Sequence, residues 1–204
     1  MYNSIFKPLA DRFFSMSLLL LLAPVFVIIS LILFLDGHGV FFRQMRPGLN
    51  GQIFELLKFR TMKEGFDQDG RLLPDEKRIT KVGKVLRTTS LDELPQLINV
   101  LRGEMSLIGP RPFLKEYLSL YSPKHAKRHQ VRPGITGLAQ VSGRNGLSWV
   151  ERLGLDVEYV DNLSWKLDLT ILLKTFGSIL NFDNIGHKDH ISMPKFRGYQ
   201  TSQE

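Results

Sequence analysis

An aspartate and a glutamate stand side by side at Asp92 and Glu93, just ahead of an amphipathic run, with Arg87, Arg102 and Arg111 on either side. Acids in a helix's first turn cap free N–H groups and complement the macrodipole, which is sufficient explanation for most such pairs. This pair has unusual company. Lys58 and Arg60 close a β-prone run, Arg111 is clamped between Pro110 and Pro112, and Arg132 and Arg144 lie in a glycine-rich stretch. Arginines beside Pro and Gly in rigid turns suit bidentate phosphate contacts, and backbone N–H groups of residues 134–146 can add anion-binding nests. Two carboxylates among fixed cations therefore fit a sugar diphosphate or a nucleotide. The acids have two chemical options. They can hold Mg²⁺, which takes one or two carboxylates plus substrate oxygens and water, or an aspartate can attack phosphorus to form an acyl phosphate.

Composition narrows the field. The 204 residues can bury one good core, and the net charge of +7 with a pI near 9.7 favours an anionic partner. The absence of cysteine removes disulfides, thiolate nucleophiles and Cys-ligated zinc, and the five histidines form no His-Glu-x-x-His pattern.

The elements that must position the acids begin with an apolar segment. Residues 16–35 carry no charge, and as a helix they would reach about 30 Å, one hydrocarbon core thick. A single spanning helix is the simplest reading, but Pro24 falls inside the run and predicts a kink. Lys7 and Arg12 precede the run while Arg43 and Arg46 follow it, so charge favours neither orientation. A helix-break-helix that enters and leaves on one face carries the same two basic flanks.

Residues 40–45 and 52–59 are β-prone and separated by Pro47-Gly48 and Asn50-Gly51, which predicts a hairpin. Residues 63–77 read as a polar loop in which Asp67 to Gly70 form an ordinary turn rather than a calcium loop. A short helix is expected over residues 79–87. The next should begin near Asp92, with a capping box between Ser90 and Glu93, an apolar face of Leu94, Leu97, Ile98 and Leu101, and a stop at Gly103. Ser122-Pro123 should open a basic helix carrying Lys124, Lys127, Arg128 and His129. Residues 132–145 read as irregular. Ser148 and Glu151 have capping-box spacing ahead of a helix to about residue 160, and residues 167–180 suit either a core helix or one lying in a membrane interface.

The chain resembles the bacterial sugar transferase family, the monotopic phosphoglycosyl transferases, and looks most like their small, PglC-like members. The shared pieces are Phe-Arg-Gln-Met-Arg-Pro-Gly from Phe42, Lys-Phe-Arg-Thr-Met from Lys58 and Ser-Leu-Asp-Glu-Leu-Pro-Gln from Ser90. They continue with Gly-Pro-Arg-Pro from Gly109, Val-Arg-Pro-Gly-Ile-Thr-Gly from Val131 and Gly-Arg-Asn from Gly143. Each is short, but their order is specific. The resemblance implies Mg²⁺-dependent transfer of a sugar-1-phosphate from a UDP-sugar to polyprenyl phosphate, with release of UMP, as the first membrane step of glycan assembly. It makes Asp92 the nucleophile of a ping-pong cycle, with Glu93 helping to hold the metal. It assigns Arg87 to the acceptor phosphate, Arg111 with Pro110 and Pro112 to the nucleotide and Arg144 to the donor, and places Lys58, Arg60, Arg132 and Gln140 among the substrate-binding residues. A diacetamido-sugar donor is the expectation from the small members.

The fold it implies is α/β and predominantly helical. A compact catalytic domain over residues 37–204, with a small β-hairpin and amphipathic interfacial helices, follows a re-entrant membrane helix over residues 1–36 broken at Pro24. That places the protein on the cytoplasmic face of a bacterial inner membrane, with membrane lipid as a partner. Relatives often carry Ser before the proline, where this chain has Ala23, and Asn where it has Ser142. Three competitors are weaker. A membrane-anchored scaffold would leave the ordered motifs without a purpose. A glycoside hydrolase needs carboxylates that flank a sugar, which adjacent residues on one turn do not. Nucleic acid is not an expected partner, because the basic residues are scattered through rigid turns beside a membrane segment.

Overall fold

The computed structural model describes residues 1–143, 146–180 and 195–199. After a π-helical turn at Tyr2–Phe6 come helices α1 (Lys7–Leu21) and α2 (Ala23–Leu35), bent by 65° relative to each other. Leu22 leaves helical geometry at φ −92°, ψ 6°, and Pro24 occupies the first turn of α2, where its missing N–H does least harm. The break therefore forms without a serine hydroxyl at position 23. Among the described residues no single helix is long and apolar enough to cross a membrane, but the bent pair together has the length and composition. Leu9, Phe13, Phe14, Leu20, Leu21, Val27, Phe34 and Leu35 project outward.

The inner face of α2 lies on the hairpin of β1 (Phe41–Pro47) and β2 (Ile53–Phe59), which pair antiparallel from Phe41↔Phe59 to Pro47↔Ile53. Ile29 and Leu33 pack against Phe59 and Leu86, while the Phe26 and Phe59 rings meet at 4.9 Å. Asn50 and Gly51 take the positive φ that the turn requires.

The expected polar loop contains a short helix, α3 (Asp75–Arg78), and its Asp67 Oδ1 accepts from the Asp69 and Arg71 amides, as a turn does. Helix α4 (Lys81–Thr88) is capped by Thr80, which accepts from Gly83 N. Gly83 lies so close to β2's exit that an added Cβ would come 2.0 Å from the Thr61 carbonyl oxygen.

Ser90 adopts φ +57° and its side chain makes no capping bond, so the predicted capping box with Glu93 does not form. Leu91–Glu93 is a 3₁₀ turn, and the helix proper, α5 (Gln96–Leu101), starts only after Pro95. Proline suits the residue ahead of a helix, and the left-handed residue before the turn redirects the chain. Helix α5 is fastened to β2 by the fully buried Asn99, which accepts from Leu57 N and donates to the Glu55 carbonyl.

Strands β3 (Ser106–Ile108) and β4 (Gly134–Thr136) pair in parallel, so the stretch expected to be irregular contains a strand and then helix α7 (Leu138–Ser142). Between these strands, Ser122 caps α6 (Pro123–Ala126), which passes into a 3₁₀ turn at Lys127–Gln130. The basic helix predicted here is shorter, and Arg128 is not on its surface. That residue is 2% exposed, bonds Asp156 and the Arg111 carbonyl, and lies over the Phe113 ring. Its buried charge is paired and hydrogen-bonded, as burial demands.

Helix α8 (Trp149–Asp161) opens on the expected capping box between Ser148 and Glu151. Helix α9 (Trp165–Leu180) buries Asp168 and Ile171 yet exposes Trp165, Leu169, Leu173 and Phe176, so it has both a core face and an apolar outer face. Asp168 accepts from Tyr2, Lys7 (2.7 Å) and Tyr159, and Asp11 accepts from Ser106 Oγ (2.6 Å). These buried polar contacts join α1 to β3, α8 and α9.

Candidate active site

Four chain segments converge on the acid pair. Lys58 comes from the end of β2, where its flanking neighbours Leu57 and Phe59 are buried. Asp92 and Glu93 come from the 3₁₀ turn, and Arg111 comes from the Gly-Pro-Arg-Pro turn, whose Pro110 carbonyl accepts from Gly134 N at 3.0 Å. Arg87 approaches from α4, where it donates through Nε to Thr61 Oγ1 at 3.0 Å.

The two acids have different surroundings. Glu93 receives Lys58 Nζ on Oε1 at 2.6 Å, and Arg111 engages both of its oxygens. Burial pushes the Glu93 carboxyl up, but Arg111 and Lys58 outweigh it and hold it well below the usual carboxylate range. Glu93 in turn raises the Arg111 pKa. Asp92 is 8% exposed, and its nearest cation is Lys58 at 3.7 Å. Among the described residues none donates a hydrogen bond to its carboxylate. Burial raises the Asp92 pKa, with Lys58 opposing and Glu93 adding to the rise. Adjacent carboxyls pushed in opposite directions suggest divided roles. Glu93 is a permanently charged anchor for two cations, and Asp92 is the more basic oxygen and the one less occupied.

Among the described residues no three His, Cys, Asp or Glu side chains are placed to hold a metal by themselves. The Asp-Glu pair still suits Mg²⁺ that draws its remaining ligands from substrate oxygens and water, and the less engaged Asp92 carboxylate offers it the freer oxygens.

Beside the acids lies a cleft of about 270 Å³, lined by the cations Arg46, Lys58, Arg111 and Arg152, by Tyr117 and Trp149, and by Gln96. Arg46 donates to Gln44 Oε1, and its pKa is lowered by burial and by the neighbouring Arg111. Cations gathered in this way fit an anion. Arg46, Gln96, Arg152, Tyr117 and Trp149 were not singled out from the sequence. Arg46 and Gln96 had a usable signal, since each lies in a motif shared with the family; the others approach the cleft only through tertiary packing.

The remaining sequence candidates lie elsewhere or are engaged otherwise. Arg60 faces a separate hollow with His38 and Glu64 and donates to the Phe41 carbonyl. Arg132 donates to the Gly103 carbonyl at 2.8 Å. The Gln140 side-chain oxygen and nitrogen are buried without a hydrogen-bond partner among the described residues. Arg144 lies outside the described residues.

Comparison with known proteins then places the chain. Residues 2–182 match the family model described as bacterial sugar transferase. The chain is 54% identical over 162 residues to the uncharacterized sugar transferase EpsL of Bacillus subtilis, covering 79% of this chain and 80% of that protein. It is 45% identical over 175 residues to the UDP-glucose:undecaprenyl-phosphate glucose-1-phosphate transferase of Caulobacter vibrioides, covering 80% and 66%. With the Klebsiella pneumoniae protein of the same name it shares 42% over 192 residues, 88% of this chain but 41% of that longer one.

Proposed function

The chain belongs to the bacterial sugar transferase family, and we propose that it transfers a sugar-1-phosphate from a UDP-sugar to polyprenyl phosphate, releasing UMP. The observation that carries this reading is the divided acid pair, with a buried, more basic Asp92 beside a Glu93 fixed by Lys58 and Arg111 at the edge of a cationic cleft.

The donor diphosphate is held by Lys58 and Arg111, which bring the sugar-bearing phosphorus to Asp92. An Asp92 oxygen forms a bond to that phosphorus as the bond to the nucleotide phosphate breaks, and the electron pair leaves with UMP. The acceptor's phosphate oxygen then attacks the same phosphorus, and the acyl-phosphate bond breaks to regenerate the Asp92 carboxylate. The product is a polyprenyl diphosphate sugar. No general base is needed, because the acceptor oxygen is already anionic. Mg²⁺, held by Asp92 and Glu93, would neutralise charge on the phosphates. Lys58 and Arg111 stabilise the charge developing in both half-reactions, since the two transition states share one phosphorus.

The names of the relatives favour an unmodified hexose, UDP-glucose first, over the diacetamido-sugar that the resemblance to the small members implies. A panel of UDP-sugars with Mg²⁺ and polyprenyl phosphate tests this. UMP release with UDP-glucose supports the reading; failure of every donor to yield UMP contradicts it.

The membrane placement belongs to the same proposal. Two apolar helices bent by 65° and the apolar outer face of α9 fit a re-entrant insertion into the cytoplasmic leaflet of a bacterial inner membrane. Such an insertion would hold the acid pair where a lipid phosphate can reach it. The chain has no native cysteine, so Asn3→Cys and Asn50→Cys can be labelled singly in sealed vesicles. Both are expected to react only from the cytoplasmic side, and periplasmic labelling at position 3 would restore a spanning helix.

A further inference from the structure

Phe196 lies beyond residue 182, where the family match ends, in the short segment 195–199 that has no regular secondary structure. It is nevertheless only 4% exposed. Its ring meets Tyr117 at 5.7 Å, Tyr121 at 5.8 Å and Trp149 at 5.3 Å, and its backbone N–H donates to the Tyr117 hydroxyl at 3.2 Å. Three residues on, the Tyr199 hydroxyl accepts from Ser122 N at 3.2 Å and pairs with His125 Nδ1, while its ring stacks on the His125 imidazole. The segment is thus tied at two points across the catalytic domain.

Tyr117 and Trp149 are the aromatic wall of the cleft, and they meet edge-on at 5.5 Å from elements 32 positions apart in the chain. Phe196 packs against both rings. Arg46 and Arg111 line the same cleft. A cleft lined by both aromatic rings and guanidinium groups suits a ligand with a flat base and a phosphate, since bases stack on aromatic faces and phosphates pair with guanidinium.

We propose that Phe196 is a positioning residue that sets the aromatic wall of Tyr117 and Trp149 on which the uracil of the nucleotide stacks. This rests on the proposed transferase reading. Phe196 touches no substrate and acts through the two rings it backs. Removing it frees Trp149 and Tyr117 to relax into the vacated volume, which weakens nucleotide binding and leaves the acid pair intact.

UMP binding to the full chain, read as quenching of Trp149 fluorescence in a Trp165→Phe background, tests this without turnover. UMP is expected to quench Trp149, with about tenfold weaker affinity in Phe196→Ala and affinity largely restored in Phe196→Leu. In turnover, KM for the UDP-sugar rises by a similar factor, while kcat and KM for polyprenyl phosphate stay within about twofold. Equal UMP affinity in wild type and Phe196→Ala, or UMP binding without Trp149 quenching, overturns the proposal. So does a parallel loss toward donor and acceptor with a lowered melting temperature in both Phe196 variants, which marks a merely structural role. Failure of wild-type turnover with every donor would instead remove the transferase reading.

Discussion

Asp92→Asn is expected to lower sugar-phosphate transfer by at least about 10³-fold while leaving the fold in place. Asparagine keeps the shape of the buried side chain but lacks the anionic oxygen that would join phosphorus. The melting temperature should change little, because Asp92 receives no hydrogen bond from the described residues and stands 3.7 Å from Lys58. The same carboxyl predicts the acid limb of the pH profile. Burial raises its pKa, and the carboxylate is the reactive form. The kcat/KM of the wild type should therefore fall as pH drops through a midpoint above the ordinary aspartate value of about 3.9. Substantial activity in Asp92→Asn would remove Asp92 as the nucleophile.

Glu93→Gln is expected to cost about 10²- to 10³-fold in kcat through a different route. Glu93 fixes Lys58 and Arg111 together, and the neutral amide releases both from their charged partner. The cations then no longer converge on the phosphates in one arrangement. Stability should fall by about 2 kcal/mol at neutral pH, read from thermal unfolding. The sign of its pH dependence follows from the lowered folded-state pKa. The Glu93 contribution is complete above the ordinary carboxylate pKa and fades as pH falls toward the folded value. The stability gap between wild type and Glu93→Gln should accordingly narrow in acid. A variant that loses stability but keeps full kcat would show that the Glu93 ion pairs serve the fold alone.

Much of this arrangement was legible in local sequence. The hairpin follows from two β-prone runs around Asn50-Gly51, and the α8 cap follows from Ser148 and Glu151, because both depend on residues a few positions apart. The family motifs made the Asp92-Glu93 pair conspicuous before any geometry was known. What local sequence hid was tertiary. Ser90 has capping-box spacing to Glu93, yet the chain takes a left-handed residue there and delays the helix past Pro95. Arg128 reads as one more basic surface residue, but Asp156, 28 positions away, takes it into the core. The parallel pairing of Ser106 with Gly134 leaves no periodicity in strands of three residues. Trp149 and Tyr117 meet only because α8 returns to the Pro-Arg-Pro turn, and neither has a motif to announce it.

The central claim is that the sugar phosphate passes through Asp92, and one measurement reaches it directly. The full chain in lipid or detergent is mixed with UDP-glucose, or whichever UDP-sugar it turns over, and Mg²⁺ but no acceptor. It is then quenched rapidly and weighed by mass spectrometry alongside Asp92→Asn. The account predicts a burst of about one UMP per chain, a mass increase of one sugar phosphate located on the peptide containing Asp92, and its loss on addition of polyprenyl phosphate. The variant should show neither burst nor adduct. UMP that appears only after the acceptor is added, or an adduct on any residue other than Asp92, would contradict it.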